Sequence, residues 1–230
     1  MTIKPLEAWI LHKKWSGDTS ARVIFFSRDL GLIQCLYKGG RTPKKQALLQ
    51  PFTPLWVNLA ERHDRHYAQA VETISPTLQL TGSSLFAGLY INEVLYYALK
   101  PNYSDPSLFD AYLFTLNELA LAKERLMIEA SLRRFEWTLL HACGYSFSLT
   151  CEAQTANPIV PGAYYQFVAG EGFVKNNQGI PGTHILALSQ DNLSEVSYLK
   201  SAKIIMRQAI DYLVGGREIK TRSLYLAEIK

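Results

Sequence analysis

Five short segments in the first 80 residues are rich in β-branched and aromatic side chains, and a turn signal bounds each of them. These segments are Leu6 to His12, Ala21 to Ser27, Gly31 to Tyr37, Leu48 to Leu59 and Tyr67 to Ile74. Five short strands in an open sheet would leave unpaired edges, so the pattern favours a sheet that closes on itself. The small barrel of the OB type has this size and strand number. We therefore predict an OB-type barrel domain over residues 1–80.

At Thr81-Gly82-Ser83 the apolar period changes from two to about 3.6, which predicts helices. The predicted helices run from Ser84 to Leu99, from Asp105 to about Lys123, from Leu126 to Cys143, from Thr183 to Leu188, from Ser194 to Leu213 and from Arg222 to Ile229. Asp105 and Pro106 are favoured as the N-cap and first residue of the second helix. The fold class is thus α+β, with a helical domain over residues 81–230 and a loop-rich insert at about 145–180.

The basic residues are concentrated in the predicted barrel. Residues 1–80 hold eleven Lys and Arg against six Asp and Glu, a net +5, whereas residues 81–230 hold thirteen against fourteen, a net −1. With 48% hydrophobic residues the chain can bury a core, which excludes intrinsic disorder. The uneven charge favours a domain that binds a polyanion, joined to a domain with a different function.

The loop from Lys38 to Lys45, Lys-Gly-Gly-Arg-Thr-Pro-Lys-Lys, places four cations in eight residues. Lys and Arg there would neutralise phosphates without reading a base sequence. The alternative is a solvated hairpin loop that is basic for solubility. The candidate DNA-binding cations are Arg22, Arg28, Lys38, Arg41, Lys44 and Lys45. Candidate rings for base stacking are Trp9, Trp15, Phe25, Phe26 and Tyr37, although alternation should bury about half of them.

Residue patterns that carry catalysis or bind metals are weak in this chain. Neither a phosphate-binding glycine loop nor a GxSxG or HExxH motif occurs, which weighs against an enzyme. The cluster from His63 to His66 is interpreted as a solvated turn, because Arg62 and Arg65 would repel a metal. Three cysteines without CxxC spacing, and no signal-peptide pattern, predict reduced thiols in a cytoplasmic protein without a membrane segment. We expect no metal and no cofactor.

The chain resembles the RecO family of bacterial DNA repair and recombination mediators over essentially its whole length. The segments that carry the resemblance are Trp15 to Ser20, Lys38 to Arg41, Leu49 to Leu55, Gly88 to Glu93, Leu108-Phe109, Leu132 to Glu136, Gly144-Tyr145 and Gly215 to Ser223. Their order and spacing together are specific, whereas each alone is not.

The resemblance implies a protein without catalytic turnover that binds single- and double-stranded DNA and anneals complementary strands. It also implies work with RecR, and with RecF, in loading RecA onto DNA coated by the single-stranded DNA-binding protein SSB, at the nucleoid. Proteins similar to this chain take the acidic C-terminal tail of SSB into an apolar groove beside an arginine. Here the resemblance suggests Arg133 for that arginine, with Leu108 and Phe109 as apolar neighbours. The rival hypothesis is a protein-interaction scaffold that reaches DNA only through SSB.

The insert departs from the family pattern. Many members carry two CxxC pairs there, a spacing typical of structural zinc, but this chain has only Cys151. We therefore predict an insert without zinc, held together by its own aromatic residues Tyr164, Tyr165, Phe167 and Phe173.

Overall fold

The computed structural model describes residues 5–63 and 65–228. Its contacts divide the chain into two compact units, one reaching to Leu121 and resuming at Ile219, and the other covering Ala122–Glu218. The elements of the first unit that precede Leu80 are β1 (Leu6–Ser16), β2 (Ser20–Ser27), β3 (Gly31–Tyr37), α1 (Pro43–Leu48), β4 (Leu55–Arg62) and β5 (Arg65–Thr73). The later elements are α2 (Gly82–Ala98), α3 (Pro106–Leu121), α4 (Arg125–Ala142), β6 (Tyr164–Val168), β7 (Gly172–Asn176), β8 (Ile180–Pro181), α5 (Gly182–Ser189), α6 (Val196–Leu213) and α7 (Lys220–Glu228).

The predicted barrel is confirmed. The first five strands close in the order β1-β2-β3-β5-β4, with β3 and β5 parallel and the other pairs antiparallel. Alternate side chains point inward, and the buried interior includes Val23, Phe25, Ile33, Val57 and Leu59. This connectivity, followed by helices, is consistent with an OB fold plus a helical region.

A β-bulge in β1 decides which side chains of that strand face outward. The pairing with β2 shifts between Ile10 and His12, so that Lys14 lies opposite Arg22 and Trp15 opposite Ala21. Because one extra residue reverses the alternation, Lys14 faces outward beside Arg22 instead of into the core.

The prediction of a strand from Leu48 to Leu59 is wrong in its first half. Pro43–Leu48 form the short helix α1 in the β3–β4 connection, and β4 begins only at Leu55. Between them Leu49 is fully buried and Phe52 adopts a positive φ of 61°. Leu48 and Leu49, which resembled the start of a strand, instead pack against the barrel core, whereas the Phe52 ring lies beside Gly88 of α2.

Two helices cover part of the outer barrel wall. Phe26 packs against Phe109 and Tyr112 of α3, and Trp9 meets the Tyr112 ring edge-on at 6.0 Å. Asn92 of α2 donates a hydrogen bond to the Ile10 carbonyl at 3.3 Å and accepts one from the Tyr112 hydroxyl at 2.8 Å. The central buried helix predicted from Ser84 to Leu99 is therefore confirmed, and its polar Asn92 joins barrel to helices.

The start of α3 agrees with its predicted cap. Asp105 Oδ1 accepts a hydrogen bond from the Leu108 N–H at 2.9 Å, and Pro106 is the first residue of α3. At the other end of the first unit, α7 begins two residues before the predicted Arg222. The predicted last residue of that helix, Ile229, lies outside the described residues.

The second unit is built on α4, α5 and α6. Leu139 and Leu140 of α4 and Ile205 and Met206 of α6 are fully buried. Helix α4 ends as predicted, because Gly144 adopts a left-handed φ of 76° and the Tyr145 N–H donates to the Leu140 carbonyl at 2.8 Å. The second unit therefore has its own helical core.

The insert is a small three-stranded sheet in the order β7-β6-β8, packed through aromatic rings. The ring centres of Phe147, Phe167 and Phe173 are 4.6–5.8 Å apart, and the ring centre of Trp137 on α4 is 5.1 Å from that of Phe147. We predicted that Tyr164, Tyr165, Phe167 and Phe173 hold the insert together. Tyr165 is fully buried, but Tyr164 is exposed, so this prediction is wrong for Tyr164, and it missed Phe147.

A zinc site of the four-thiolate kind does not fit this insert. Cys151 is its one thiol, and the neighbouring Glu152 carboxylate already accepts a hydrogen bond from the Thr155 hydroxyl at 2.5 Å. Within the described part of the chain, no group of three or more His, Cys, Asp and Glu side chains is arranged to hold a metal ion. Over residues 5–63 and 65–228, no helix combines the length and apolarity needed to cross a membrane.

Candidate nucleic-acid interface

The basic loop is folded tightly against the barrel and is ordered by backbone contacts. The Arg41 N–H donates to the Thr19 carbonyl at 3.0 Å, which fastens the loop to the β1–β2 turn. A Cβ on Gly40 would lie 2.9 Å from the Ala21 Cβ and 3.0 Å from the Tyr37 carbonyl oxygen. Only glycine permits so close an approach, so this position fixes where the loop cations stand.

Three of the loop cations lie beside aromatic rings. The Lys45 ammonium is 4.5 Å from the centre of the Tyr37 ring, the Arg41 guanidinium 5.6 Å from Trp15, and the Lys38 ammonium 5.9 Å from Tyr67. These distances are within the range of cation–π attraction. The rings therefore hold the flexible cations near one end of the barrel.

Backbone carbonyls add to this fixation without using up the charge. Arg41 Nη1 donates to the Gly17 carbonyl at 3.0 Å, and Lys45 Nζ donates to the Lys38 carbonyl at 2.9 Å. Because Arg carries five N–H donors and Lys three, both retain donors for a phosphate. Lys44, on the exposed side of α1, is solvated.

A second pair of cations lies on the outer barrel wall next to this loop. Lys14 and Arg22 are directly opposite each other on β1 and β2, and both are exposed. Like charges in this position destabilise a sheet, so their juxtaposition has no stabilising role in the barrel. The row continues through Leu36 to Tyr67 on the neighbouring strands. The sequence prediction included Arg22 but missed Lys14 and Tyr67.

Of the five rings proposed for base stacking, one is accessible. Trp15 is 39% exposed, whereas the other four, Trp9, Phe25, Phe26 and Tyr37, are at most 5% exposed. Two cations lie near the Trp15 ring, the Arg41 guanidinium at 5.6 Å and the Lys13 ammonium at 5.8 Å from its centre, and neither covers the ring completely. Lys13 itself donates to the Leu49 carbonyl, and burial lowers the pKa of its ammonium group. Lys13 therefore supports the barrel end instead of facing solvent.

Arg28 stands apart from the other predicted cations. Both terminal nitrogens of its guanidinium bind the Asp110 carboxylate on α3, and this hydrogen-bonded pair raises the Arg28 pKa. A bidentate pair of this kind occupies the fork that would hold a phosphate. We accordingly leave Arg28 out of the candidate interface.

The residues suggested for an SSB-tail site are not accessible. Arg133 is 6% exposed, its Nη2 donates to Glu136 Oε1 at 2.9 Å, and its Nε lies 2.9 Å from Oε2 without the alignment of a hydrogen bond. Leu108 and Phe109 are each 1% exposed and serve the core of the first unit, whereas Arg133 belongs to the second. The suggested site is therefore corrected: the Arg133 charge is satisfied internally, and the two apolar side chains are core residues.

The histidine-containing turn of the β4–β5 hairpin also belongs to the barrel. His63 adopts a positive φ of 51° at the turn, and His66 lies opposite Cys35 on the parallel strand β3. Asp64, the remaining donor of the cluster, lies outside the described residues. Arg62 and Arg65 are directly opposite each other on β4 and β5 and are exposed, which adds two cations at this hairpin end.

The fold and the clustered cations define an OB-type barrel protein with a helical region. Comparison with known proteins then identifies its family. The model of the family described as Recombination protein O N terminal matches residues 1–77, and that described as Recombination protein O C terminal matches residues 79–214. The chain belongs to the RecO family of DNA repair proteins.

Whole-chain relatives agree with this membership. A protein of Legionella pneumophila strain Corby, named DNA repair protein RecO, is 66% identical over 226 residues, covering 98% of this chain and 99% of the relative. Proteins of the same name from Tolumonas auensis and Actinobacillus pleuropneumoniae serotype 7 are 34% and 35% identical, each covering 96% of this chain and 95% of the relative.

Proposed function

We propose that this protein is a non-enzymatic recombination mediator that binds DNA directly along the basic end of its barrel. In this proposal it anneals complementary strands and, with RecR and RecF, helps to load RecA onto SSB-coated single-stranded DNA in the cytoplasm, at the nucleoid. The proposed DNA-binding cations are Lys14, Arg22, Lys38, Arg41, Lys44 and Lys45.

The observation that carries the proposal is the ordering of loop cations over aromatic rings beside an unfavourable cation pair. Lys38, Arg41 and Lys45 are held over rings, and Lys14 stands opposite Arg22. Positive charge that is both fixed and self-repelling is explained by a polyanionic ligand that relieves the repulsion. A loop that is basic only for solubility would not need this fixation.

The chemistry of these contacts suits a strand that is held without being read. The cations neutralise phosphates, and the exposed face of Trp15 can stack on a base of any type. Annealing follows from these properties, because screening the phosphates lowers the repulsion between two strands while their base edges stay free to pair.

Direct DNA binding can be tested by titrating a fluorescent oligonucleotide with the protein in the absence of SSB. If six cations contact single-strand phosphates, the log–log dependence of affinity on salt should have a slope of roughly −4, at about −0.7 per contact. Replacing Lys38, Arg41, Lys44 and Lys45 by Ala should remove about two thirds of this slope.

A matched control is Arg134→Ala. Arg134 is an exposed arginine whose Nε lies 2.9 Å from both carboxylate oxygens of Asp191, and it lies outside the proposed interface. Its loss should leave the slope unchanged. A quadruple variant with the affinity and slope of the parent protein would refute the interface, and an absence of oligonucleotide binding without SSB would favour the scaffold hypothesis.

The partner proposals need a separate assay. Strand annealing of SSB-coated oligonucleotides should be fast with intact SSB and slow with SSB that lacks its C-terminal tail. Since Arg133, Leu108 and Phe109 are buried, we attach no residues to this SSB contact. Incubation of labelled DNA with magnesium or manganese should leave the DNA uncut, whereas cleavage would contradict the non-enzymatic role.

A further inference from the structure

The barrel carries an exposed tryptophan on its outer wall, away from the basic loop. Trp56 on β4 is 45% exposed, and its neighbours along the strand, Leu55 and Val57, are fully buried. The alternation therefore directs Trp56 outward. Tryptophan is highly buried on average, and it is among the residues most enriched at protein-binding hot spots.

Two carboxylates flank this ring on the adjacent strands. Trp56 is directly opposite Glu7 on β1 and directly opposite Glu72 on β5. Directly opposite residues point to the same face, with Cβ atoms about 4.5–5.5 Å apart. The three side chains thus form a row across three strands, which we call the Trp56 row.

Over the described part of the chain, no cation of the protein is paired with the carboxylates of this row. Among the described residues, neither Glu7 nor Glu72 forms an ion pair with a lysine or arginine. Arg28 interacts electrostatically with Glu7, but the Arg28 guanidinium is hydrogen-bonded to Asp110. The row therefore combines an apolar ring with two negative charges.

This charge determines which ligand fits. DNA is repelled by two carboxylates, so the row cannot extend the basic interface. A cationic side chain gains both an ion pair and cation–π attraction, which is strongest with tryptophan. An arginine can also stack flat on the indole while its N–H fork meets a carboxylate.

We propose that the Trp56 row docks a basic segment of a partner protein, with an arginine or lysine placed over the indole between Glu7 and Glu72. This role goes beyond the proposed DNA binding and uses the barrel surface formed by β1, β4 and β5. The barrel then presents one region for a polyanion and another for a polycation.

Fluorescence anisotropy with the full chain tests the proposal. The probe is a fluorescein-labelled twelve-residue peptide of alternating Arg and Leu, and the control peptide carries Glu in place of Arg. We expect Trp56→Ala to weaken binding of the arginine peptide by about tenfold or more, as for a hot-spot residue. Glu7→Gln and Glu72→Gln should each weaken it by a smaller factor and flatten its salt dependence.

Matched variants separate this site from general attraction between opposite charges. Glu171→Gln removes an exposed carboxylate from the turn between β6 and β7 and should leave peptide affinity unchanged. Trp56→Ala should also leave oligonucleotide affinity and its salt slope unchanged, so that a failure of the DNA proposal and a failure of this one are distinguishable.

Three results would overturn the proposal. The first is equal affinity of the parent protein and Trp56→Ala for the arginine peptide, with both proteins shown to be folded by their thermal transitions. The second is an equal loss of affinity in Glu171→Gln and Glu72→Gln. The third is self-association of the parent protein in sedimentation that Trp56→Ala abolishes, since this would assign the row to a second copy of the chain.

Discussion

Glu93 of α2 and Thr221 of α7 are joined by two hydrogen bonds to one carboxylate oxygen. The Thr221 N–H donates to Glu93 Oε2 at 2.9 Å and the Thr221 hydroxyl donates at 2.7 Å, while the Lys220 N–H donates to Oε1 at 3.0 Å. A side chain 127 or more residues away thus caps the first turn of α7. A carboxylate is favourable there both as an acceptor and as a negative charge at a helix N terminus.

Glu93→Ala should therefore detach α7 from the first unit. Loss of charge-assisted hydrogen bonds should lower the free energy of unfolding by about 1–3 kcal/mol. Hydrogen exchange should show the amides of α7 losing protection while those of the barrel keep theirs. The control Glu171→Ala, at an exposed turn, should change stability by less than about 0.5 kcal/mol. Retained protection in α7 would contradict the capping role.

Gly40→Ala should displace the basic loop without removing a charge. The added methyl would lie 2.9 Å from the Ala21 Cβ, which is fully buried and cannot move aside. We expect weaker oligonucleotide binding with a smaller salt slope, because misplaced cations contact fewer phosphates although none has been removed. Gly162→Ala, where a methyl would meet open space, is the control. Unchanged DNA affinity in Gly40→Ala would count against the loop as the interface.

Glu136→Gln should be strongly destabilising because it leaves the buried Arg133 charge without its partner. Breaking a buried pair in this way costs about 3–5 kcal/mol, whereas removing the exposed Arg134–Asp191 pair should cost at most about 1 kcal/mol. Urea unfolding of Glu136→Gln and Arg134→Ala measures both.

The double variant Arg133→Leu/Glu136→Met distinguishes a lost charge partner from lost packing. Replacing both charges by apolar side chains of similar volume should restore much of the stability, since neither charge is then left unpaired. A double variant as unstable as Glu136→Gln would show that packing, and not the unpaired charge, is responsible.

Cys35 should be the slowest cysteine to react in the folded protein. Burial in the barrel core raises the pKa of its thiol to about 12, so the reactive thiolate is scarce at neutral pH. Iodoacetamide should modify the partly exposed Cys143 and Cys151 first, and Cys35 only after unfolding, as read by peptide mass spectrometry. Rapid modification of Cys35 in native conditions would show that the barrel opens.

His12 should make the protein less stable in mild acid. Burial lowers its pKa below the ordinary value of 6.5, with Glu93 opposing this effect and Lys14 adding to it, while the ring stacks on Tyr96 at 5.1 Å. The folded state therefore resists protonation. The contribution of neutral His12 to the free energy of unfolding is fully present above pH 6.5, the ordinary pKa of the ring. It falls as the pH drops from 6.5 towards the lowered pKa of His12 in the folded state.

Replacing this ring should remove the effect. His12→Gln should lose less stability than the parent protein between about pH 7 and about pH 5 in urea titrations. His63→Asn, at an exposed turn where asparagine tolerates the positive φ, should behave like the parent protein. Parallel curves for His12→Gln and the parent would contradict the assignment.

Local patterns predicted most elements because their causes are local. The strands follow from alternation, and α3 begins where Asp105 and Pro106 place it. Helix α1 was missed because Leu48 and Leu49 are apolar for a different reason, namely that they pack against the barrel core from outside a strand. The cations of the loop were visible in the sequence, whereas Lys14 joins them only through the bulge after Ile10.

Pairings between distant residues were not predictable in the same way. Arg28 binds Asp110, which is 82 residues away in the sequence, and no periodic pattern predicts that contact. For Arg133, the family resemblance suggested a guanidinium open to a partner's carboxylate, whereas in the structure this guanidinium is buried and paired with Glu136. The Trp56 row likewise depends on strand register, which the sequence does not fix between β1 and β4.

The Glu93 contact also has a consequence for how the chain is synthesised. Helix α7 belongs to the first unit, yet the ribosome makes it only after all 97 residues from Ala122 to Glu218. At a translation rate of about 5–20 residues per second, several seconds or more pass between the synthesis of α2 and the synthesis of α7, the helix that Glu93 caps. During that interval the α2 surface that receives α7 is uncovered, so a nascent chain is more exposed to proteases and chaperones there than a finished one.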